Sequence, residues 1–207
     1  YGAANSTTFL GGPQYGLYKS VDGGVTWVEL SMPLTANENK HCPNNIEIGP
    51  DNSIWVSTTN SVVYGDGGGT IFQSTNGTSF VQKYRNPDGE RTQIAVSSTN
   101  PNKIYVLVEA SVVTNPGPPE VISREADVYL TTNGFTSVAK LSEPAAIHGT
   151  TATDFCRGQA FYDLMIEVDP TNDAIVYIGG IDIHRSTNSG TSWQTISKWS
   201  SLYGTGV

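Results

Sequence analysis

One short motif occurs four times along the chain, and it constrains the fold more than any other feature. Its fullest copy is Ser20-Val21-Asp22-Gly23-Gly24-Val25-Thr26-Trp27, and the other copies begin at Ser74, Thr131 and Ser186. The motif therefore recurs about every 55 residues. A period of this size indicates a repeat architecture, in which each repeat supplies one supersecondary unit.

Each copy of the motif, called here the repeated turn, predicts a hairpin turn between two strands. Its Asp or Asn side chain can accept hydrogen bonds from backbone N–H groups further along the turn. Its glycines supply the positive φ of a tight reversal, and its last apolar residue can pack back onto the sheet. The residues assigned to this structural role are Ser20, Asp22, Gly24, Trp27, Ser74, Asn76, Phe80, Asn133, Ser186, Asn188, Gly190 and Trp193.

A second pattern, strand-turn-strand, alternates with the repeated turn. Apolar, β-branched and aromatic residues lie on both sides of short turns rich in Pro, Asn and Asp, which is typical of paired strands. Each repeat then contains four strands, A to D, with the repeated turn between C and D. This predicts an all-β fold, a β-propeller of four-stranded antiparallel blades. The blades are expected at residues 1–30 (incomplete), 44–85, 91–140 and 162–199.

The predicted blades form one partial propeller over residues 1–207, because propellers usually close with four to eight blades. We therefore expect these blades to pack against the remaining part of a longer chain, which is their first expected partner. Trp55, Tyr105 and Tyr177 occupy equivalent places in three repeats. We interpret them as packing residues between blades, not as a platform for a ligand.

Strand direction separates the two ends of the blades. The repeated turns all join strands C and D and share one end, so the B–C loops and D–A linkers lie at the other. The longest segments there are the loops 60–69 and 110–126 and the linkers 31–44 and 141–161. We call this end the loop face. Long loops on a rigid scaffold are where binding or catalysis is expected.

Composition excludes several classes of function. Charged residues make up 14% of the chain and the net charge is −8, with no basic cluster, so nucleic acid is not an expected partner. No apolar run reaches the roughly 20 residues that span a bilayer, so membrane insertion is not expected either. His41, His148 and His184 lack ligand spacing. Neither a metal site nor a cofactor is predicted.

The repeated turn, Ser-x-Asp-x-Gly-x-x-Trp in its fullest copy, resembles the Asp-box (BNR-type repeat) of sialidases, sortilin-type receptors and xyloglucanases. The resemblance implies a β-propeller with these turns on the outer rim, away from any active site. The segment from Tyr162 to Trp199 is similar to propellers of secreted Bacteroidota proteins that use the type IX secretion system. That similarity implies a secreted or cell-surface protein, with the outer-membrane secretion machinery as a possible partner.

The candidate binding residues are polar or aromatic and belong to the loop face: Arg91, Arg124, Arg157, Tyr162 and Asp163. The segment 155–163 is the least generic stretch of the chain, and its alternative interpretation is a linker in which Asp163 caps backbone amides. A sialidase-like site combines arginines, a tyrosine and carboxylates, but the Phe-Arg-Ile-Pro motif of sialidases is absent. A simpler glycosidase needs two carboxylates, for which Glu120, Asp154 and Asp163 qualify. No catalytic residue is assigned.

The function predicted from these features is a binding or scaffold module for a glycan or a surface protein. The alternative is the catalytic propeller of a glycoside hydrolase of sialidase or xyloglucanase type, so the question of enzyme activity stays open, with binding preferred. A sortilin-like receptor domain would need a Cys-rich module, which the sequence lacks.

Two cysteines, Cys42 and Cys156, leave two interpretations open. They are either a disulfide or two buried thiols. A disulfide would close a loop of about 114 residues, and chain entropy would then contribute about 4–5 kcal/mol to stability.

Overall fold

The computed structural model describes residues 1–4, 15–118, 121–144 and 154–199. Strands and one helical turn follow one another in this order: β1 (Gly2–Ala4), β2 (Gly16–Lys19), β3 (Val28–Leu30), β4 (Cys42–Ile48), β5 (Ile54–Thr59), β6 (Thr70–Ser74), β7 (Val81–Arg85), β8 (Gly89–Val96), β9 (Ile104–Asn115), β10 (Val121–Thr131), β11 (Ala139–Lys140), α1 (Ala160–Asp163), β12 (Met165–Val168), β13 (Val176–Gly179), β14 (Ile183–Ser186) and β15 (Gln194–Ser197).

Within the described ranges the strands form four separate sheets, and every pairing within them is antiparallel. The first sheet has three strands in the order β1-β2-β3, and the other three have four strands each, in the order of the chain. The inner strands β4, β8 and β12 approach one another, so consecutive sheets pack side by side like blades. This architecture confirms the predicted fold class, a partial β-propeller with four-stranded antiparallel blades.

The repeated turn is held together by its own side chains. In the fullest copy the Ser20 hydroxyl accepts a hydrogen bond from the backbone N–H of Gly24 at 2.8 Å, and Asp22 Oδ1 accepts one from the N–H of Thr26 at 2.9 Å. The Trp27 indole donates to the carbonyl of Gly24 at 3.0 Å. The other copies use Ser74 and Asn76, Thr131 and Asn133, and Ser186 and Asn188 in the same two places. The turn is therefore a structural element in every blade.

We expect Asn188→Ala to lower the free energy of unfolding by about 1–2 kcal/mol, because Asn188 Oδ1 holds the N–H of Ser192 at 3.0 Å much as a helix cap would. Urea denaturation at neutral pH measures the effect. Thr187→Ala, at the exposed neighbour in the same turn, is the control and should change stability by less than about 0.5 kcal/mol. Equal losses in the two variants would contradict this role for the Asn188 side chain.

Buried aromatic residues join the blades, as the sequence indicates. Trp55 is 0% exposed and packs with Ile94 and Val106 of the next blade. Tyr105 is also buried, and its hydroxyl donates to the carbonyl of Asp173, again in the next blade, at 2.8 Å. The packing role predicted for these two residues is confirmed. Tyr177 in the last blade is half-buried beneath the Arg185 guanidinium, 5.9 Å from its ring centre.

One position of the repeated turn has positive φ in every blade and contacts the preceding blade in blades two to four. In the third blade it is Phe135 (φ 71°), whose ring stacks on Tyr84 at 5.3 Å and lies 5.7 Å from Trp55. In the other blades the position is a glycine: Gly24, Gly77 or Gly190. A Cβ at Gly77 or Gly190 would collide with Tyr1 or Leu141 of the preceding blade, whereas near Gly24 it would meet only the Trp27 ring. The contact between neighbouring blades is therefore adjusted at this one turn position.

The predicted loop 110–126 is mostly strand. β9 extends as far as Asn115 and β10 begins at Val121. The two strands form one long hairpin, with pairs such as Ala110↔Glu125 and Val113↔Ile122. Alternating β-branched residues on both sides favour extended backbone, so the loop prediction was wrong for all but the tip.

Of the two interpretations left open for the cysteines, the structure has the second, since Cys42 and Cys156 are both buried thiols without a disulfide bond. Cys42 is the first residue of β4, where it pairs with Thr59, and so lies within the second blade instead of a linker. Cys156 belongs to the hydrophobic core between the third and fourth blades. The two thiols therefore lie in different parts of the fold, Cys42 in the second blade and Cys156 between the third and fourth.

No helix among the described residues is long and apolar enough to cross a membrane.

Candidate ligand-binding site

A β-bulge at the start of β8 shapes one side of the candidate site. Two residues, Glu90 and Arg91, lie between the pairs Gly89↔Ala110 and Thr92↔Val108, where the partner strand β9 contributes only Glu109. Bulges of this kind redirect side chains and often lie next to functional sites. The bulge projects the Arg91 side chain toward α1, where its guanidinium donates to the carbonyl of Phe161 at 3.3 Å.

The bulge is supported by a run of glycines in the loop 60–69. The N–H of Gly69 donates to the carbonyl of Glu90 at 3.0 Å, and the Gly69 carbonyl accepts the N–H of Asn86 at 2.8 Å. A Cβ at Gly68 or Gly69 would lie closer than 3.0 Å to backbone atoms of adjacent segments, such as the carbonyl oxygens of Glu90 and Asn86. The two backbones can approach this closely only because these residues are glycines.

Glu109 is a buried carboxylate opposite the bulge, and it is only 1% exposed. Burial raises its pKa, while Arg124 and the backbone N–H of Arg91 lower it. Arg124 Nη1 lies 3.3 Å from Glu109 Oε1, and the same guanidinium lies 5.9 Å from the centre of the Phe161 ring. Glu109 thus orients Arg124 beside the helical turn.

The turn before α1 is built around Asp154. Its carboxylate accepts hydrogen bonds from the backbone N–H groups of Cys156 and Gly158. Arg157 adopts positive φ (54°) at the tip of this turn, and its side chain is exposed. The chain then enters the four-residue helix Ala160–Asp163, whose Ala160 is buried against the third blade.

Asp163 ends this helix in a partly buried position. Its carboxylate accepts a hydrogen bond from the Cys156 thiol, and burial raises the pKa of Asp163 to about 6. Its Oδ1 atom is buried and has no hydrogen-bond partner. Burial and the nearby carboxylates also raise the pKa of the Cys156 thiol, so this cysteine is a hydrogen-bond donor and not a nucleophile.

A shallow pocket of about 560 Å³ opens beside α1. Two exposed aromatic rings, Tyr162 (54% exposed) and Trp199 (39% exposed), lie at this pocket. The Tyr162 hydroxyl donates to Gln159 Oε1, which orients the ring. The remaining lining residues are Arg157, Gln159, Asp163, Gly180 and Ile181. Charged groups and aromatic rings at one concave surface are typical of sites for polar organic ligands.

The structure brings the five sequence-predicted binding residues together around α1. Arg157, Tyr162 and Asp163 line the pocket, and Arg91 and Arg124 contact Phe161 from the neighbouring blade. We call these five residues with Glu109 and Phe161 the α1 cluster. Sequence reasoning missed Glu109, because a single Glu inside a long apolar strand gives no signal of a site. It also missed the exposed ring of Phe161.

Other charged residues of the loop face lie outside the α1 cluster. Asp66 accepts hydrogen bonds from three residues of the linker 31–44, namely Thr35, Asn37 and Asn39. Glu120 and His148 lie outside the described residues. Within the described ranges no group of three His, Cys, Asp or Glu side chains could hold a metal ion.

We expect the raised pKa of Asp163 to make stability fall as the pH rises from about 4 to 6. The folded protein retains a proton on Asp163 in this range that the unfolded chain, with a pKa of 3.8, has released. Asp163→Asn should remove this contribution to the pH dependence of the free energy of unfolding. Between pH 4 and 7 the stability of the variant should therefore rise relative to the wild type by about 1 kcal/mol, after allowance for solvent screening.

The measurement is urea denaturation of both proteins across this range. Asp154 and Glu109 titrate with raised pKa values in both proteins, so the difference between the two curves isolates Asp163. Parallel curves would contradict the burial of this carboxylate.

Solved structures of similar fold were found by structural comparison. A GH74 enzyme of Niastella koreensis has a TM-score of 0.57 and 20% sequence identity, over 87% of this chain and 27% of that chain. The GH74 xyloglucanase of Xanthomonas campestris has a TM-score of 0.55 and 15% identity, over 87% of this chain and 26% of that chain. The chain therefore spans about a quarter of the length of these enzymes. At this identity the similarity extends to the β-propeller fold alone.

No protein-family model matches the chain, and no curated protein matches it either.

Proposed function

We propose that this chain is part of a larger β-propeller that is secreted or displayed on the cell surface and binds a glycan, or a glycan-bearing surface protein, at the α1 cluster. The observation that carries the proposal is a pocket of the loop face lined by Arg157, Asp163 and the exposed rings of Tyr162 and Trp199. Two further arginines, Arg91 and Arg124, contact Phe161 on the same helical turn. Aromatic rings offer flat apolar surfaces to sugar rings, while charged side chains hydrogen-bond hydroxyl groups.

The proposal includes the family and the route of export. The hydrogen bonds of the repeated turn support its assignment as an Asp-box, and the resemblance of the last repeat supports export by a type IX system with its outer-membrane machinery as a partner. The remaining blades would come from the longer chain. The share of the GH74 structures that the chain spans supports this part of the proposal.

A glycan array tests the proposed function. The folded chain, labelled with a fluorophore, is applied to immobilised oligosaccharides that include uncharged gluco-, galacto-, manno- and xylo-configured members and sialylated and uronate-containing members. Saturable binding to any class, which competes with the same free oligosaccharide, supports the proposal. Absence of binding to every class overturns it.

The alternative function is glycoside hydrolysis, which one observation favours. Glu109 and Asp163 are two carboxyl groups with burial-raised pKa values in the same cluster, a feature of general acids in glycosidases. Incubation with xyloglucan and with sialosides distinguishes the two functions. A binding module leaves xyloglucan and sialosides intact, whereas an enzyme releases reducing sugar from the former or free sialic acid from the latter.

A further inference from the structure

A second pocket of the loop face lies between the first and second blades, and none of its described lining residues belongs to the α1 cluster. Its volume is about 310 Å³, at the lower end of the roughly 300–1,000 Å³ that is typical of ligand pockets. Strands β2 and β3 form one side and the linker 31–44 forms the other, so we call it the linker pocket. Its apolar lining consists of Leu17, Leu30, Met32 and Leu34. A pocket of this size suits one apolar side chain better than a whole polymer.

The linker side of the pocket is fixed before any ligand binds. Leu34 forms an isolated β-bridge with Lys40, and the Asp66 carboxylate accepts hydrogen bonds from the turn between them. A ring nitrogen of the buried His41 lies 2.9 Å from the carbonyl oxygen of Gly67. Leu34 is nevertheless 54% exposed. Because its backbone is already held in place, little conformational entropy is lost when a partner covers this side chain.

An ion pair lies beside this apolar lining. Lys40 Nζ donates to Glu29 Oε1 at 2.5 Å, both residues line the pocket, and their side chains are 55% and 41% exposed. An ammonium group can donate three hydrogen bonds and a carboxylate has two acceptor oxygens, so the ion pair retains hydrogen-bonding capacity of both kinds. The carboxylate lies close to Gly16, where a Cβ would be 2.9 Å from Glu29 Oε1. A donor and an acceptor are therefore accessible side by side at the pocket.

We propose that the linker pocket binds an apolar side chain of an extended peptide segment in a protein partner, with Lys40 donating to a backbone carbonyl beside that side chain and Glu29 accepting from a backbone N–H. The inference is independent of glycan binding at the α1 cluster. The charges of the ion pair favour this occupant. A ligand carboxylate would face Glu29, and a ligand ammonium would face Lys40. A peptide group supplies a donor and an acceptor without net charge.

The lining favours an apolar side chain over a sugar. Leu17 is buried, and Leu30 and Met32 are partly buried against the same core cluster, so their remaining surface is aliphatic. An apolar side chain gains free energy by covering this surface, and the flexible thioether of Met32 adapts to side chains of different shape. A sugar would have to place hydroxyl groups against it, which costs free energy because they lose hydrogen bonds to water.

Small-molecule probes test the inference by NMR. The chain has two methionines, so isotope-labelled methionine methyl groups report separately on Met32 in the pocket and on Met165 in the fourth blade, which is the internal control. N-acetyltryptophanamide carries an apolar side chain between two neutral amide groups. Skatole has the apolar part alone, and tryptamine and indolepropionate add a cation or an anion. N-acetyltryptophanamide should shift the Met32 resonance saturably and leave Met165 unmoved, and the other three probes should bind at least tenfold more weakly.

Variants separate the contribution of the ion pair from that of the apolar lining. Lys40→Met removes the donor but keeps an aliphatic stem, so it should weaken binding of N-acetyltryptophanamide about tenfold and leave binding of skatole unchanged. Lys83→Met, the same substitution at an exposed lysine of β7, is the matched control and should affect neither probe. Leu34→Ala should weaken binding of both probes several-fold. Leu34 and Lys40 are both exposed, so the variants should fold, which thermal unfolding verifies.

Three results would contradict the inference. Absence of a saturable Met32 shift with every probe overturns the site. Equal affinity for the neutral, cationic and anionic probes, or equal weakening of N-acetyltryptophanamide and skatole by Lys40→Met, overturns the recognition of a peptide group. A Met32 shift that appears when the chain alone is concentrated assigns the pocket to a second copy and overturns a separate protein partner. None of these results bears on the glycan array, so the inference and the proposed function fail independently.

Discussion

Replacing Trp55 by alanine should lower the free energy of unfolding by about 3–5 kcal/mol, the largest loss expected from a single side chain of this protein. Trp55 is fully buried between the second and third blades, and its indole donates to Ser53 Oγ at 3.0 Å. Truncation removes this bond and opens a cavity beneath Phe135, whose ring lies 5.7 Å away. Urea denaturation, followed by far-ultraviolet circular dichroism, measures the loss.

Trp27→Ala is the matched control, because it makes the same chemical change at the outer end of the first blade. Trp27 is 48% exposed and lies over Gly2 and the turn that contains Gly24. We expect a loss of about 1 kcal/mol from it, mainly through the indole hydrogen bond to Gly24. Similar losses from Trp27→Ala and Trp55→Ala would show that the contact between blades two and three contributes little.

Gly69→Ala should have the second large effect, about 2–5 kcal/mol of lost stability, for two reasons that add. The backbone at Gly69 has φ of 69°, which costs a residue with a side chain about 1–3 kcal/mol. A Cβ there would also lie closer than 3.0 Å to the carbonyl oxygens of Asn86 and Gly89, so the turn that begins β8 must move away. Thermal unfolding monitored by circular dichroism measures the loss.

Gly65→Ala separates the two contributions. Gly65 has nearly the same φ, 68°, but a Cβ there meets no atom within 4 Å. This control therefore reports the backbone strain alone, about 1 kcal/mol. Because Gly69 supports the bulge of Glu90 and Arg91, Gly69→Ala should in addition weaken glycan binding, and Gly65→Ala should not. Equal losses of stability in the two variants would mean that the backbone near Asn86 and Gly89 can move away from residue 69 at little cost.

The repeated features of the fold could be predicted from the sequence because they depend on local chemistry. Asp22 and its counterparts accept backbone N–H groups within a few residues, so four copies of one turn identify four hairpins. Trp55 and Tyr105 were predictable as packing residues, since equivalent positions in a repeat have equivalent neighbours. The long hairpin of β9 and β10 was missed because Asn115-Pro116-Gly117 gave a strong turn signal. That signal marks only the hairpin tip.

The candidate site was predictable only in part, because its contacts join residues distant in sequence. Residue type and position on the loop face led to Arg91, Arg124 and Asp163. Nothing local indicates that Glu109 lies opposite a bulge, since a bulge depends on how two strands pair. The helical turn Ala160–Asp163 has no side-chain cap and is too short for a periodic pattern. The choice between a disulfide and two thiols stayed open for the same reason, since an even number of cysteines says nothing about the distance between them.

The varied contact at the repeated turn has a consequence for how the repeats could have multiplied and diverged. Gly77 and Gly190 leave space that Tyr1 and Leu141 occupy, whereas Phe135 reaches outward to Tyr84. A gene duplication that copied one repeat beside itself would place a turn side chain such as Phe135 against a blade whose residues already occupy that space. In the other case it would place a turn glycine against a blade with no side chain to fill the gap. Once these residues had diverged, the blades could no longer be exchanged or reordered without compensating substitutions in the neighbouring repeat. The order of the repeats is therefore recorded at their junctions, even where the turns themselves stay interchangeable.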